Sequence, residues 1–165
     1  MVKKGPSGTP ALVALEQSGV VYRVHAFEHD VEDAKDRGGY GLAAAAAIGA
    51  DPARVFKTLV AMVDGHATVG VVPVDRQLSL KHLAAAVHGK RAELAPATVA
   101  ERLTGYVVGG ISPFGQKRRS PTVIDSSALA FATIYVSGGR RGVDVEVGAA
   151  DFIRLLGATV AEIAT

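Results

Sequence analysis

Apolar and polar residues follow two periods along the chain, and together these periods predict interspersed strands and helices. Alternation, or a short apolar run bounded by turn residues, predicts strands at residues 20–27, 55–63, 67–72, 92–94, 122–125, 133–137 and 143–147, with a short strand near the C-terminus. Capping residues and helical spacing predict helices at residues 10–18, 42–48, 79–87, 96–102 and 149–156. The polar residues 28–37 are predicted to form a loop.

The order of these elements points to a fold class. Asp64 and Gly65, the pair preferred in a two-residue turn, join two strands into a hairpin. At least two hairpins argue against a purely parallel sheet, so we expect an α+β fold with a mixed sheet that can close on itself. Residues 1–8 are predicted to be a flexible tail, and residues 9–165 a single domain.

Composition narrows the chemistry that is open to the chain. Its 165 residues, 48% apolar and 21% charged, suit a globular domain that is stable without metal or disulfides. The absence of Cys excludes a thiolate metal site and a catalytic thiol, so any sulfur chemistry has to come from a substrate. The longest apolar run, residues 41–50, is too short to span a bilayer, and residues 1–8 lack a signal segment. We therefore expect a cytoplasmic protein with no membrane partner and no cofactor.

Positive charge is clustered rather than abundant. A formal net charge of +2 is too small to attract nucleic acid as a bulk effect, so such binding would depend on local clusters. The clusters are Lys90–Arg91, Lys117–Arg119 and Arg140–Arg141. Any one of them alone is more readily explained as a solvated surface.

The segment from residue 104 to residue 125 is the one most crowded with glycine and proline, the residues that form turns. Gly109 and Gly110 follow a short apolar run, which predicts a shaped loop that leaves a strand, with the cations Lys117–Arg119 beside it. A triphosphate-binding loop is excluded because Gln116 separates glycine from lysine. Ser112 lacks the glycine two places later that a nucleophile elbow needs, so we predict that its hydroxyl orients a substrate.

Lys57 is the most anomalous side chain, because it lies in the strand VFKTLVAMV, which is otherwise almost wholly apolar. Alternation places it on one face with Val55, Leu59 and Ala61. An unpaired ammonium is costly to bury, so this lysine either faces a cavity or reaches solvent at the strand end. Position alone leaves both readings open.

Two other pairs of polar residues could belong to a functional site but also have simpler structural explanations. His25 and His29 lack the third ligand expected of a zinc site, so we predict solvated or hydrogen-bonded histidines and no metal. Asp144 and Glu146 share one face of a strand, which is typical of an exposed face. A carboxylate near Lys57 would instead form an ion pair or bind a substrate amine.

Several motifs in order resemble one known family. They are Thr9-Pro10-Ala11, Phe27-Glu28-His29-Asp30, Val55-Phe56-Lys57-Thr58-Leu59, Thr104-Gly105-Tyr106-Val107-Val108-Gly109-Gly110-Ile111-Ser112-Pro113, Gly115-Gln116-Lys117, Tyr135-Val136-Ser137-Gly138-Gly139 and Arg141-Gly142. The chain closely resembles, from about residue 9 to residue 164, the YbaK family of bacterial Cys-tRNA(Pro) deacylases. The family is related to the insertion domain of prolyl-tRNA synthetase.

The resemblance implies a fold and a site. The implied fold is a barrel-like, mixed, largely antiparallel sheet surrounded by helices. Lys57, Gly109 and Asp144 correspond to catalytic positions. The implied substrate-binding positions are Phe27, Thr58, Gly110, Ile111, Ser112 and Pro113. Phe27 replaces the usual tyrosine of the family, which removes a hydroxyl.

The resemblance also implies a reaction and partners. The family removes a wrongly attached amino acid from the 3′ acceptor end of tRNA, and the thiol of a cysteinyl substrate attacks its own ester. Lys117, Arg118 and Arg119 would contact acceptor-stem phosphates, and prolyl-tRNA synthetase would be a partner. Two alternatives stay open, namely a deacylase for alanine or another small amino acid, and a non-catalytic module that binds aminoacyl-tRNA or a synthetase.

Overall fold

The computed structural model describes residues 8–30, 34 and 38–165. Its helices are α1 (Pro10–Ser18), α2 (Tyr40–Ile48), α3 (Leu80–Ala86), α4 (Ala97–Thr104) and α5 (Ala149–Leu156). Its strands are β1 (Tyr22–Ala26), β2 (Phe56–Val63), β3 (His66–Pro73), β4 (Ala92–Leu94), β5 (Thr122–Asp125), β6 (Thr133–Arg140), β7 (Val143–Gly148) and β8 (Thr159–Ala161), and Pro52–Arg54 and Ser126–Ala130 form 3-10 turns.

Local sequence signals set most of these elements. Thr9 caps α1 by accepting the Leu12 N–H, and Ser79 caps α3 in the same way. Asp64 and Gly65 form the turn of the β2–β3 hairpin, with φ of 50° and 83°. A two-residue turn that matches the twist of its strands requires positive φ at both residues. The hairpin and these helix starts are confirmed.

The strands form two sheets among the described residues. One sheet has three strands in the order β1-β7-β6, and the other has five in the order β4-β2-β3-β5-β8. Four of the six strand pairings are antiparallel, while β3–β5 and β5–β8 are parallel. The α+β fold with a mixed, largely antiparallel arrangement is confirmed. The barrel-like expectation is not supported, since Val55 and Tyr135 make only an isolated bridge between the sheets.

The five-stranded sheet is covered on both faces. Along β3, Val69 and Val71 belong to a core with α1, α5 and the three-stranded sheet, whereas Val72 faces a second core with α3. Gly70 lies on this second side, where a Cβ atom would meet Leu78 at 3.0 Å. A sheet packed on two sides explains why its central strands are nearly continuous apolar runs.

Three expectations about connecting segments have different outcomes. The segment before Gly109 is not a strand; it follows α4, and Tyr106 is buried with its hydroxyl donating to the Phe114 carbonyl. The predicted tail falls outside the described residues except for Gly8, and the predicted loop at residues 28–37 is described only at 28–30 and 34.

Within the described ranges, the helices lack the length and apolar character needed to cross a membrane.

Candidate active site

A cavity of about 440 Å³ lies where the two sheets meet α2 and the loop after α4. Its wall includes β2 from the larger sheet and β6 and β7 from the smaller one. Lys57, Gly109 and Asp144, predicted from distant parts of the sequence, all line it. The volume is typical of a small-molecule site.

Lys57 is half-buried near the start of β2. Within the described part of the chain it forms no ion pair. Burial lowers the pKa of Lys57, and the charge of Asp75 opposes that change. Lys57 lines the cavity, so of the two readings of this lysine the cavity-lining one describes its position.

Asp144 lies on β7, opposite His25 of β1 and Ser137 of β6. Its exposed fraction is only 7%, so the expectation of an exposed strand face is wrong here. No hydrogen bond or ion pair of its carboxylate is found among the described residues, and burial raises its pKa to about 7. A carboxyl group of this kind can hold or release a proton near neutral pH.

The loop Gly109–Pro113 touches the cavity at alternate positions. Gly109 and Ile111 line it, whereas Gly110, Ser112 and Pro113 do not. The Gly110 N–H donates to the Val107 carbonyl at 2.9 Å, so it is already used within the loop. Among the described residues no acceptor is found for the Gly109 N–H, which leaves this group as the candidate donor.

Ser112 has a structural place instead of the predicted position beside a substrate. The residue is fully buried, and its hydroxyl oxygen accepts the Phe114 N–H at 3.2 Å. Its carbonyl accepts a hydrogen bond from the Gln116 side chain. Pro113 lines a second cavity, of about 300 Å³, on another side of the loop. The loop bends so that its serine supports the fold.

Phe27 and Thr58 both line the main cavity. The Phe27 N–H donates to the Gly142 carbonyl, which fixes the chain after β1 beside the β6–β7 turn. The Thr58 hydroxyl is buried, and no described residue forms a hydrogen bond with it. An unpartnered buried hydroxyl is costly, so the Thr58 hydroxyl lowers the stability of the fold at the cavity wall.

The predicted tRNA-binding cations lie apart from the cavity. Lys117, Arg118 and Arg119 are exposed, and none of them is in the cavity wall. The backbone N–H groups of Lys117 and Arg118 donate to carbonyls of α4, which fixes the segment next to the loop Gly109–Pro113. Arg119 lines the second cavity.

Among the cavity residues that were not assigned from the sequence are Ser137, Arg141 and Tyr40. Ser137 and Arg141 belong to a motif that carried the family resemblance, yet their proximity to Asp144 and Gly109 depends on the β6–β7 pairing. Tyr40 begins α2, and its ring lies under the Arg141 guanidinium. The first two had a usable signal in the motif, whereas Tyr40 had none.

Metal binding is not indicated by the geometry. Across residues 8–30, 34 and 38–165 no group of three or more His, Asp or Glu side chains is arranged to hold a metal ion. His25 instead contacts Glu146 through Nε2 at 3.2 Å, as expected for a hydrogen-bonded histidine.

Residues 41–155 match a protein family described as "Aminoacyl-tRNA editing domain". The chain belongs to this family. The matched range contains Lys57, Gly109 and Asp144, while Phe27 and Tyr40 precede it. The family match therefore agrees with the resemblance that the sequence motifs indicated.

Similar proteins span nearly the whole chain. An Enterococcus faecalis protein named "Putative Cys-tRNA(Pro)/Cys-tRNA(Cys) deacylase EbsC" is 33% identical over an alignment of 166 positions, which covers 99% of this chain and 97% of that protein. A crystal structure of "a putative trans-editing enzyme for prolyl tRNA synthetase" has a TM-score of 0.82 and 24% identity, covering 99% of each chain. A hypothetical protein of known structure has a TM-score of 0.81 and 24% identity, covering 94% of this chain and 99% of its own. At these identities the two structures show a shared fold.

Proposed function

We propose that this editing domain is an aminoacyl-tRNA deacylase that clears mischarged Cys-tRNA(Pro) in trans. The observation that carries the proposal is the meeting of Lys57, Asp144 and the Gly109 loop in one cavity of a chain that belongs to the aminoacyl-tRNA editing family. The name of the Enterococcus faecalis relative supports the choice of cysteine and of tRNA(Pro).

Each cavity group has a distinct task in the proposed reaction. The Lys57 ammonium holds the ribose or phosphate of the terminal adenosine, or balances negative charge on the reacting ester. The Gly109 N–H faces the ester carbonyl as negative charge develops on its oxygen. Asp144 binds the amino group of the cysteinyl ester. An ester is already activated, so positioning supplies much of the rate.

The substrate supplies the nucleophile. Its thiol sulfur bonds to the ester carbonyl carbon, the bond from that carbon to the tRNA oxygen breaks, and the thiol proton passes to the departing oxygen, which leaves as a hydroxyl of tRNA. A cyclic thiolactone and free tRNA result. This route needs no nucleophile from the enzyme, in agreement with a chain that has no Cys and with the burial of Ser112.

Binding of the tRNA body is proposed to use the exposed cations beside the loop. Lys117, Arg118 and Arg119 contact acceptor-stem phosphates, a contact that is independent of base sequence and weakened by salt. Such contacts read tRNA identity poorly. We therefore propose a partnership with prolyl-tRNA synthetase in the cytoplasm, which brings the correct tRNA to the site.

Deacylation assays test the proposal directly. The wild type, Lys57→Ala and the exposed-lysine control Lys81→Ala are compared on Cys-tRNA(Pro), Ala-tRNA(Pro) and Pro-tRNA(Pro). We expect the Cys ester to be cleared fastest, and Lys57→Ala to slow its loss by on the order of 10²-fold or more, because the charge beside the ester is removed. Lys81→Ala should match the wild type.

The same assay separates the other two functions. Faster clearance of the Ala ester than of the Cys ester would replace the proposed substrate and leave the enzyme class intact. A wild type that hydrolyses none of the esters but shifts tRNA in a gel would identify a non-catalytic binding module.

A further inference from the structure

Arg141, in the turn between β6 and β7, connects separate parts of the cavity wall. Its Nε and one terminal nitrogen donate to the Val108 carbonyl at 2.9 and 2.7 Å. Its guanidinium carbon lies 4.5 Å from the centre of the Tyr40 ring. One side chain therefore joins the β6–β7 turn, the loop after α4 and the start of α2.

The two loop glycines provide space for this arrangement. A Cβ atom on Gly109, whose φ is 91°, would lie 2.8 Å from both the Arg141 Nε and a Tyr40 ring carbon. A Cβ atom on Gly110 would lie 2.7 Å from the Cα atom of Arg140. The loop packs against the turn so closely that only glycine fits at either position.

The orientation of a peptide plane follows from these contacts. The Val108 carbonyl and the Gly109 N–H belong to one planar trans peptide unit, so they point in opposite directions. Two charge-assisted hydrogen bonds hold the carbonyl toward Arg141. They therefore also hold the Gly109 N–H away from Arg141 and limit its rotation.

We propose that Arg141 is a positioning residue that holds the Gly109 N–H in place as the donor to the ester carbonyl. The Tyr40 ring supports this arrangement by packing against the guanidinium. The inference rests on the proposed deacylase function. The Arg141 guanidinium then binds the loop and not a tRNA phosphate, because both of its hydrogen bonds end on the Val108 carbonyl.

Kinetics of three variants test the assignment. We expect Arg141→Ala to lower kcat by on the order of 10- to 100-fold with little change in KM, because a displaced donor weakens transition-state contacts. Added guanidinium at millimolar concentration should restore part of the rate. Arg141→Lys should restore little, since an ammonium lacks the planar fork that donates twice and stacks on a ring. Arg23→Ala, an exposed arginine on β1, should behave as the wild type.

Salt dependence separates positioning from phosphate binding. If Arg141 positions the loop, Arg141→Ala leaves the slope of log(kcat/KM) against log[salt] unchanged. If Arg141 binds a phosphate, the substitution reduces the magnitude of that slope by about 1. An unchanged kcat, or a pure KM effect with a reduced slope, would overturn the inference.

Hydrogen exchange of the free protein gives a readout independent of activity. In Arg141→Ala we expect the Gly110 N–H, which donates to Val107 within the same loop, to exchange about tenfold faster. Unchanged exchange would refute the positioning role even if activity fell. If the wild type deacylated no ester, faster exchange would still show that Arg141 orders this loop, while the proposed function and the donor role of the Gly109 N–H would both fail.

Discussion

Two carboxylates of the same strand lie in opposite environments. Asp144 and Glu146 are two residues apart on the same face of β7. Glu146 accepts a hydrogen bond from the Thr133 hydroxyl, contacts His25 and lies 3.6 Å from Arg54. Asp144 has no such partner among the described residues and lines the cavity.

The pKa shifts record this difference. The Thr133 hydrogen bond, helped by His25 and Arg54, lowers the pKa of Glu146 against a smaller effect of burial. Burial alone raises the pKa of Asp144 to about 7. A satisfied carboxylate stabilises the sheet, whereas a desolvated carboxylate without a partner costs stability and is available for binding or proton transfer.

Asp144→Asn should change the protein most. Deacylation of Cys-tRNA(Pro) should fall by on the order of 10²-fold, because the group that we propose to bind the substrate amine loses its charge. Below the ordinary pKa of 3.8 both folded and unfolded carboxyls are protonated; between 3.8 and about 7 only the folded one is. Wild-type stability from this group therefore falls as pH rises through that window.

Thermal or urea unfolding from pH 4 to pH 8 measures this second effect. A pKa of about 7 instead of 3.8 corresponds to roughly 4 kcal/mol at most, so Asp144→Asn should become progressively more stable than wild type up to that limit. A constant difference across the range would show that Asp144 is not desolvated, and the contrast with Glu146 would disappear.

Glu146→Gln should show the opposite pattern, with little effect on activity. Loss of the charged partner of Thr133 should lower the free energy of unfolding at pH 7 by about 1–2 kcal/mol. Because the folded pKa is lowered, this cost exists above about pH 4.5 and disappears as pH falls through the folded value. Deacylation within about threefold of wild type is expected on this basis; a loss as large as for Asp144→Asn would make both carboxylates part of one site.

A weaker effect at Thr58 extends the contrast to an uncharged group. Thr58→Val should raise the free energy of unfolding by up to about 1 kcal/mol, because it removes a buried hydroxyl without a partner among the described residues. The control Thr104→Val should destabilise, since the Thr104 hydroxyl donates to Ala100 and accepts from Tyr106. If Thr58→Val also destabilised the protein, the hydroxyl would have a partner, and the contrast would not extend to this residue.

Alternation predicted which side chains share a face, but not what covers that face. It placed Asp144 with Glu146 and set Lys57 apart from Phe56 and Thr58. Whether a face is exposed depends on elements that are far away in the sequence. Here Asp144 lines a cavity whose wall also includes β2 and α2, and Arg54 reaches Glu146 from the turn before β2.

The loop after α4 shows the same division. Its glycines predicted a tight backbone, and the family resemblance pointed to Gly109. The direction of each N–H and hydroxyl came from partners that a local pattern does not contain, namely Val107 for Gly110, Phe114 for Ser112 and Arg141 for the peptide before Gly109.

Short-range signals in the sequence were enough to predict the helix starts at Thr9 and Ser79, the turn at Asp64–Gly65 and the mixed fold class. These depend on backbone preferences and hydrogen bonds within a few residues. The division into two sheets, the burial of Asp144 and the contact of Arg141 with the Gly109 loop became visible only in the folded chain. These depend on packing between distant segments, where close approach and desolvation set which polar groups are left for a ligand.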